Sequence, residues 1–143
     1  MEIKDLNILL VEDDDEHAEI IEYNLRKSKL ITFIDRVSDG EEALRYLRHE
    51  RTFEEKPTPS IVLLDLNMPK ISGHEVLKEI RNDNALKYMP VIILTTSEAE
   101  VDRKLAYEYH ANSYLVKPFD FDEFEGLVND LTQFWGKWNM PAD

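Results

Sequence analysis

The sequence predicts an α/β domain in which a five-stranded parallel sheet is doubly wound, with helices on both faces. Three observations carry this. Short apolar runs rich in Ile, Leu and Val punctuate the chain, as strands buried on both faces require. Each run is followed by a longer stretch with apolar residues at helical spacing, so five βα units succeed one another, and right-handed crossovers then wind them about one sheet. The 143 residues suit a single domain, which at this size buries about 70% of its unfolded surface and needs no covalent staples.

The elements follow in order. Residues 6–11 form the first strand, and Ala18, Ile21 and Leu25 mark a helix over about 15–28. Residues 31–38 form a second strand closed by the turn pair Asp39-Gly40, and Ala43, Leu44 and Leu47 face inward on the next helix. Residues 50–60 are polar, carry Pro57 and Pro59, and read as a loop. Residues 61–64 form a third strand, and Met68-Pro69 and Ser72-Gly73 punctuate the way to a helix bearing Val76, Leu77 and Ile80. Pro90 precedes a fourth strand at 91–94. A helix over 98–109 has Val101, Leu105 and Ala106 as its expected inner face. Residues 113–116 form a short fifth strand. Asp120 with Glu123 resembles a capping box, opening a helix that presents Phe121, Phe124, Leu127, Val128, Leu131 and Trp135 on one broad face.

Composition excludes several classes. A formal charge of −13, from 17 basic and 30 acidic residues, opposes binding to nucleic acid or to anionic membranes. Without cysteine there is neither a disulfide framework nor a thiolate metal site. The N-terminus lacks a signal-peptide pattern, and no apolar run approaches membrane-spanning length. The expected location is cytoplasmic.

In such a sheet, functional groups gather beyond the carboxyl ends of the strands. Strand one ends at Glu12-Asp13, strand three at Asp65, strand four at Thr95-Thr96 and strand five at Lys117-Pro118. Each residue alone has a plainer reading: an acid after a strand often caps a helix, a threonine suits a strand, and a lysine is a surface charge. Together they set three carboxylates, a hydroxyl and an ammonium on one edge. Close carboxylates repel, and so protonate or recruit a cation. Mg²⁺, which takes a few carboxylate oxygens and keeps several waters, suits the set.

With these residues in place, the sequence resembles the response-regulator receiver domains of two-component signalling. The matching pieces are Ile-Leu-Leu-Val-Glu-Asp-Asp (8–14), Leu-Leu-Asp-Leu-Asn-Met-Pro (63–69), Ser-Gly (72–73), Leu-Thr-Thr (94–96) and Tyr-Leu-Val-Lys-Pro-Phe (114–119). The resemblance covers about residues 5–135 and implies a flavodoxin-like fold with strand order 2-1-3-4-5. It further implies that Asp65 is the phosphoacceptor, taking its phosphoryl group from a phosphohistidine on a partner histidine kinase. Asp13 would bind Mg²⁺ directly and Glu12 through water, with the Asn67 backbone carbonyl as a further ligand. Lys117 and Thr95 would contact phosphoryl oxygens, and Tyr114 would be the aromatic switch residue, changing the surface of helix four, strand five and helix five. Asn67 and Ser97 stand where the family tunes self-dephosphorylation, and the Ser97 hydroxyl suggests a moderate-to-slow rate.

On this reading residues 5–136 are the receiver domain and 137–143 a C-terminal tail, with no output domain. The output is then a downstream protein contact or onward phosphotransfer. Phe134, Trp135 and Trp138 crowd the end of the chain. This tail, the 50–60 loop and residues 90–97 resemble the small regulators paired with bacterial phytochrome kinases, which are often homodimers. Two other functions share the architecture. An aspartyl-nucleophile phosphohydrolase needs a second aspartate where Asn67 stands. A flavin-binding module needs a phosphate cradle after strand one, where five acids, Glu12 to Glu16, stand instead. Of those acids, Glu12 and Asp13 are expected to hold the metal and Asp14 or Asp15 to cap the first helix. His17 is expected to face outward.

Overall fold

A computed structural model describes residues 6–141 of the chain; the expected domain start at residue 5 and tail residues 142–143 lie outside them. The five strands are β1 (Leu6–Val11), β2 (Ile31–Val37), β3 (Ile61–Leu64), β4 (Val91–Thr95) and β5 (Ser113–Val116). All pair in parallel, in the order β2-β1-β3-β4-β5. The helices are α1 (Asp15–Arg26), α2 (Gly40–Leu47), α3 (Gly73–Asn82), α4 (Glu100–Glu108) and α5 (Phe121–Gln133).

Alternation along the strands divides the core into two layers. Leu9, Val11, Val62, Leu64, Val91 and Ile93 face α2, α3 and α4, packing with Ala43, Val76, Leu77, Ile80 and Ala106. Ile8, Leu10, Ile61, Leu63, Ile92 and Leu94 face α1 and α5, against Ala18, Ile21, Leu25, Phe124, Val128 and Leu131. Both faces of each central strand are therefore dry, which explains why those strands read as unbroken apolar runs.

Side-chain caps set four helix starts. Asp14 accepts from the His17 N–H, Asp39 from Glu42, Ser72 from Glu75 and Asp120 from Glu123. The pair Asp39-Gly40 is thus a cap and first helical residue, and β2 ends at Val37, one residue short of the expected 38.

α4 departs most from expectation. It begins at Glu100 behind Ala99, which offers no side-chain cap, and only Ala106 of its expected inner face is buried. Val101 is 71% exposed. A nine-residue helix with one buried residue, an alanine, has little apolar area to fix it. On α5, Phe121 is half exposed whereas Phe124, Val128 and Leu131 are buried; the first turn extends past the sheet edge. The 50–60 loop contains a 3-10 turn, Arg51–Phe53, and Phe53 lies 5.3 Å from the Tyr46 ring. Beyond α5 the chain makes a π-helical turn over Phe134–Trp138, so helical structure crosses the expected 136/137 boundary. Gly136 is buried there against Leu30 and Leu6. Among the described residues no helix is long and apolar enough to cross a membrane.

Candidate functional site

The parallel sheet brings the ends of β1, β3, β4 and β5 to one edge, and the predicted residues meet there. Glu12 follows β1, Asp65 follows β3, Thr95 closes β4 and Lys117 follows β5. All four are buried, Glu12 at 1% and Lys117 at 4% exposure, whereas Asp13 is exposed. Backbone pairing continues past the strands to fix them. The Glu12 N–H donates to Val37 O at 3.1 Å, Asp65 N–H to Val11 O at 3.1 Å, and Lys117 N–H to Thr95 O at 2.7 Å. Arg36 also clamps the turn after β1. Its Nε and Nη2 donate to Glu12 O at 3.0 and 2.8 Å, and its Nη1 pairs with Asp15 at 2.9 Å.

Lys117 sits at the centre. Its ammonium donates to Asp65 Oδ2 at 3.0 Å and to Glu12 Oε1. A third neighbour, His17 Nδ1, lies 3.0 Å away. The expectation that His17 faces outward is therefore wrong. Capping by Asp14 starts α1 early enough that residue 17, one turn beyond Asp13, swings over the strand ends. No sequence pattern joined residues 17 and 117, because their proximity exists only once β1 and β5 share an edge.

Two buried carboxylates and one ammonium cannot all carry full charge cheaply. Burial pushes Glu12 upward, the Lys117 hydrogen bond opposes this, and the Asp65 charge adds to the rise. Burial would also raise Asp65, but the Lys117 charge and hydrogen bonds from Glu12, Lys117 and Thr95 outweigh it, leaving Asp65 below the ordinary range. The two carboxyls therefore divide, Glu12 held above the ordinary carboxylate range and Asp65 below it.

Carboxylate oxygens of Glu12, Asp13 and Asp65 lie within 4.8 Å of one another. An all-oxygen donor set with a surplus of negative charge fits a hard divalent cation. Asn67, two residues after Asp65, donates its N–H to Asp65 Oδ1 at 3.3 Å, which holds the turn close around the acid. Gly73 closes the turn from below: its N–H donates to Leu66 O at 3.0 Å, and a Cβ there would lie 2.3 Å from Asp65 O.

The Tyr114 side chain is half-buried and its hydroxyl donates to Ser97 O at 2.9 Å. Ser97 Oγ in turn donates to Asp102 Oδ2 at 2.6 Å, so that hydroxyl proton is committed to α4 and turned from Asp65. The Ser97 N–H bonds Thr95 Oγ1 at 3.3 Å. Thr95, Ser97 and Tyr114 are thereby joined in one chain of contacts leading from the strand ends to α4.

The described geometry agrees with comparisons to known proteins. The family profile of the response regulator receiver domain matches residues 8–129. The probable methanogenesis regulatory protein FilR2 of Methanothrix harundinacea (strain 6Ac) is 41% identical over 133 residues, covering 92% of this chain and 84% of that protein. Response regulator Rcp1 of Synechocystis sp. (strain ATCC 27184 / PCC 6803 / Kazusa) is 38% identical over 128 residues, 90% of this chain and 87% of Rcp1. The crystal structure of the Mn(2+)-bound form of Rcp1 superposes with a TM-score of 0.91 at 35% identity, over 96% of this chain and 99% of that one. The phosphorylated cyanobacterial phytochrome response regulator RcpA superposes with a TM-score of 0.93 at 35% identity, over 98% of this chain and all of that one.

Proposed function

The chain belongs to the response regulator receiver family, and from that premise we propose that Asp65 is its phosphoacceptor. A carboxylate oxygen of Asp65 attacks the phosphorus of a phosphohistidine on a partner histidine kinase. The P–N bond breaks, the imidazole leaves with the electron pair, and an acyl phosphate forms on Asp65. The observation that carries this reading is the buried Asp65 carboxylate at the end of β3 with the Lys117 ammonium 3.0 Å from its Oδ2. Phosphoryl transfer is largely positioning and charge stabilisation, so an acceptor held between an ammonium and an acidic cation site is the expected equipment.

The divalent cation is Mg²⁺ in this reading, held by Glu12, Asp13, Asp65 and the Asn67 backbone carbonyl; when bound it supplies positive charge to the phosphoryl oxygens. Lys117 exchanges a carboxylate partner for a phosphoryl oxygen. Thr95 donates its hydroxyl to another, and Tyr114 follows Thr95 inward. The population then shifts between two arrangements of α4, β5 and α5. The chemistry is confined to phosphorylation and dephosphorylation of the chain itself, and a phosphohydrolase is disfavoured because Asn67 has no proton to shuttle. The setting is cytoplasmic.

Kinship with phytochrome response regulators supports a phytochrome-type kinase as donor. Output passes to a downstream protein or phosphotransfer partner. A homodimer through the α4-β5-α5 side is supported by exposed Val101 and Tyr107 on α4, and sedimentation that stays monomeric with a phosphoryl mimic would dismiss it. The central test is labelling by a small acyl-phosphate donor with Mg²⁺. Wild type is labelled and Asp65→Asn is not; undiminished labelling of that variant refutes the assignment.

A further inference from the structure

Lys117 has three ammonium protons, and three acceptors surround it: Glu12 Oε1, Asp65 Oδ2 at 3.0 Å and His17 Nδ1 at 3.0 Å. An ammonium only donates, so Nδ1 must be the unprotonated nitrogen of a neutral imidazole whose proton sits on Nε2. The three acceptors come from the ends of β1 and β3 and from the first turn of α1, three separate elements. They fix the ammonium in direction as well as in place. His17 is itself tied down, since its N–H is held 3.0 Å from the capping Asp14 Oδ1. Nδ1 therefore lies within two hydrogen-bond lengths of Asp65 Oδ2.

The three acceptors differ in one respect. In the reading above Asp65 is itself phosphorylated and Glu12 faces the cation, whereas His17 takes part in neither. It is the partner Lys117 can keep throughout the transfer. We propose that His17 is a positioning residue for phosphoryl transfer: its Nδ1 takes the third proton of the Lys117 ammonium and holds that ammonium over Asp65. This rests on the reading of Asp65 and Lys117 given above. Without the imidazole, Lys117 has one proton directed at water and a wider range of rotamers, and the approach of the phosphoryl group must first order it. A protonated imidazole has the same effect with added repulsion between two cations. The charged groups around the ring are Lys117 from the β5–α5 connection, Glu12 and Asp65 beyond it, and Asp14, Asp15 and Glu16 on its own turn.

The test compares initial labelling rates of wild type, His17→Ala and His17→Asn with phosphoramidate and Mg²⁺ above pH 7. Asparagine places an oxygen near the Nδ1 position and does not titrate. His17→Ala slows labelling roughly three- to ten-fold above pH 7, the scale of one net hydrogen bond, while His17→Asn recovers most of the wild-type rate. Equal rates for wild type and His17→Ala overturn the inference. So do equally slow alanine and asparagine variants, the pattern of a residue that merely supports α1. A wild type that takes no label, with Asp65→Asn indistinguishable from it, overturns the assignment of Asp65 itself and this inference with it.

Discussion

Replacing Gly73 by alanine perturbs Asp65 through the backbone alone. Gly73 is the first residue of α3, and none of its conformation requires glycine; what requires it is proximity. An added Cβ would meet Asp65 O at 2.3 Å, Leu66 Cα at 2.8 Å and Asp65 C at 3.0 Å. Ordinary carbon contacts begin at about 3.5 Å, so the helix start and the strand end must part by roughly 1 Å. No flexible side chain can give way, because every contact is main chain. Overpacking of this kind costs about 3 kcal/mol, which at this chain length lowers Tm by roughly 10 °C. The same displacement moves the Asp65 carboxylate relative to Lys117, and a misplacement of about 1 Å is worth on the order of 10²-fold in rate. The assay is thermal melting together with initial labelling by an acyl-phosphate donor, measured well below Tm so that unfolding does not contribute. Gly126→Ala is the control. Nothing lies within 4 Å of its Cβ, it sits mid-helix in α5, and gaining about 1 kcal/mol of helix propensity it should melt slightly higher and label normally. A Gly73→Ala protein with unchanged Tm and normal labelling would refute the argument that this close approach fixes the acceptor.

Two further outcomes follow from buried polar groups. Tyr46 is buried and its hydroxyl donates to Asp35 Oδ2 at 2.7 Å. Tyr46→Phe removes a charge-assisted bond, but Asp35 keeps Lys56 at 3.3 Å, so the loss is about 1–2 kcal/mol, read as a lower urea midpoint with unchanged m. Glu12 has its folded pKa raised from 4.5 to about 7. The folded state therefore holds a proton that the unfolded state has released across that window, and the stability it contributes is full below 4.5 and lost as pH rises through about 7. Asp65 shifts the other way, below 3.8, outside this window. Without divalent cation, the Tm of wild type relative to Glu12→Gln should fall between pH 5 and about 7.5. Added Mg²⁺ should raise wild-type Tm more at the upper end of that range. A difference that does not change with pH contradicts the placement of the proton on Glu12.

What could be read from the sequence was whatever depends on order along the chain. Runs such as Ile61–Leu64 and Val91–Thr95 announce buried strands because both their faces are dry, and residues ending those strands must share an edge once the strands are parallel. That reasoning needs no side-chain geometry, and it reached Glu12, Asp13, Asp65, Thr95 and Lys117. It was weaker where an element has little to bury. α4 has one buried residue, Ala106, so apolar spacing that suggested Val101 as core described a face with nothing opposite. The links among Thr95, Ser97, Asp102 and Tyr114 were also beyond it, since hydroxyl partners depend on rotamers and leave no periodic trace.

The same distinction explains why His17 was misplaced and what its placement changes. Helical period sets residue 17 one turn before Ile21, at the margin of the apolar stripe; it does not say what lies over that position. Here the answer is Lys117, because the β5–α5 connection brings that side chain to the strand ends and against His17. Polar residues in that first turn are therefore candidates for the site even where they break no pattern. The five acids at 12–16 divide accordingly. Glu12, Asp13 and Asp65 make the oxygen cluster, Asp14 caps α1, and Asp15 anchors Arg36, which clamps the turn that presents Glu12. Glu12 to Asp15 are tolerated side by side because the Lys117 ammonium, the α1 N-terminus and Arg36 each offset part of their charge, and that ammonium, held from three sides, allows Glu12 and Asp65 to be buried together.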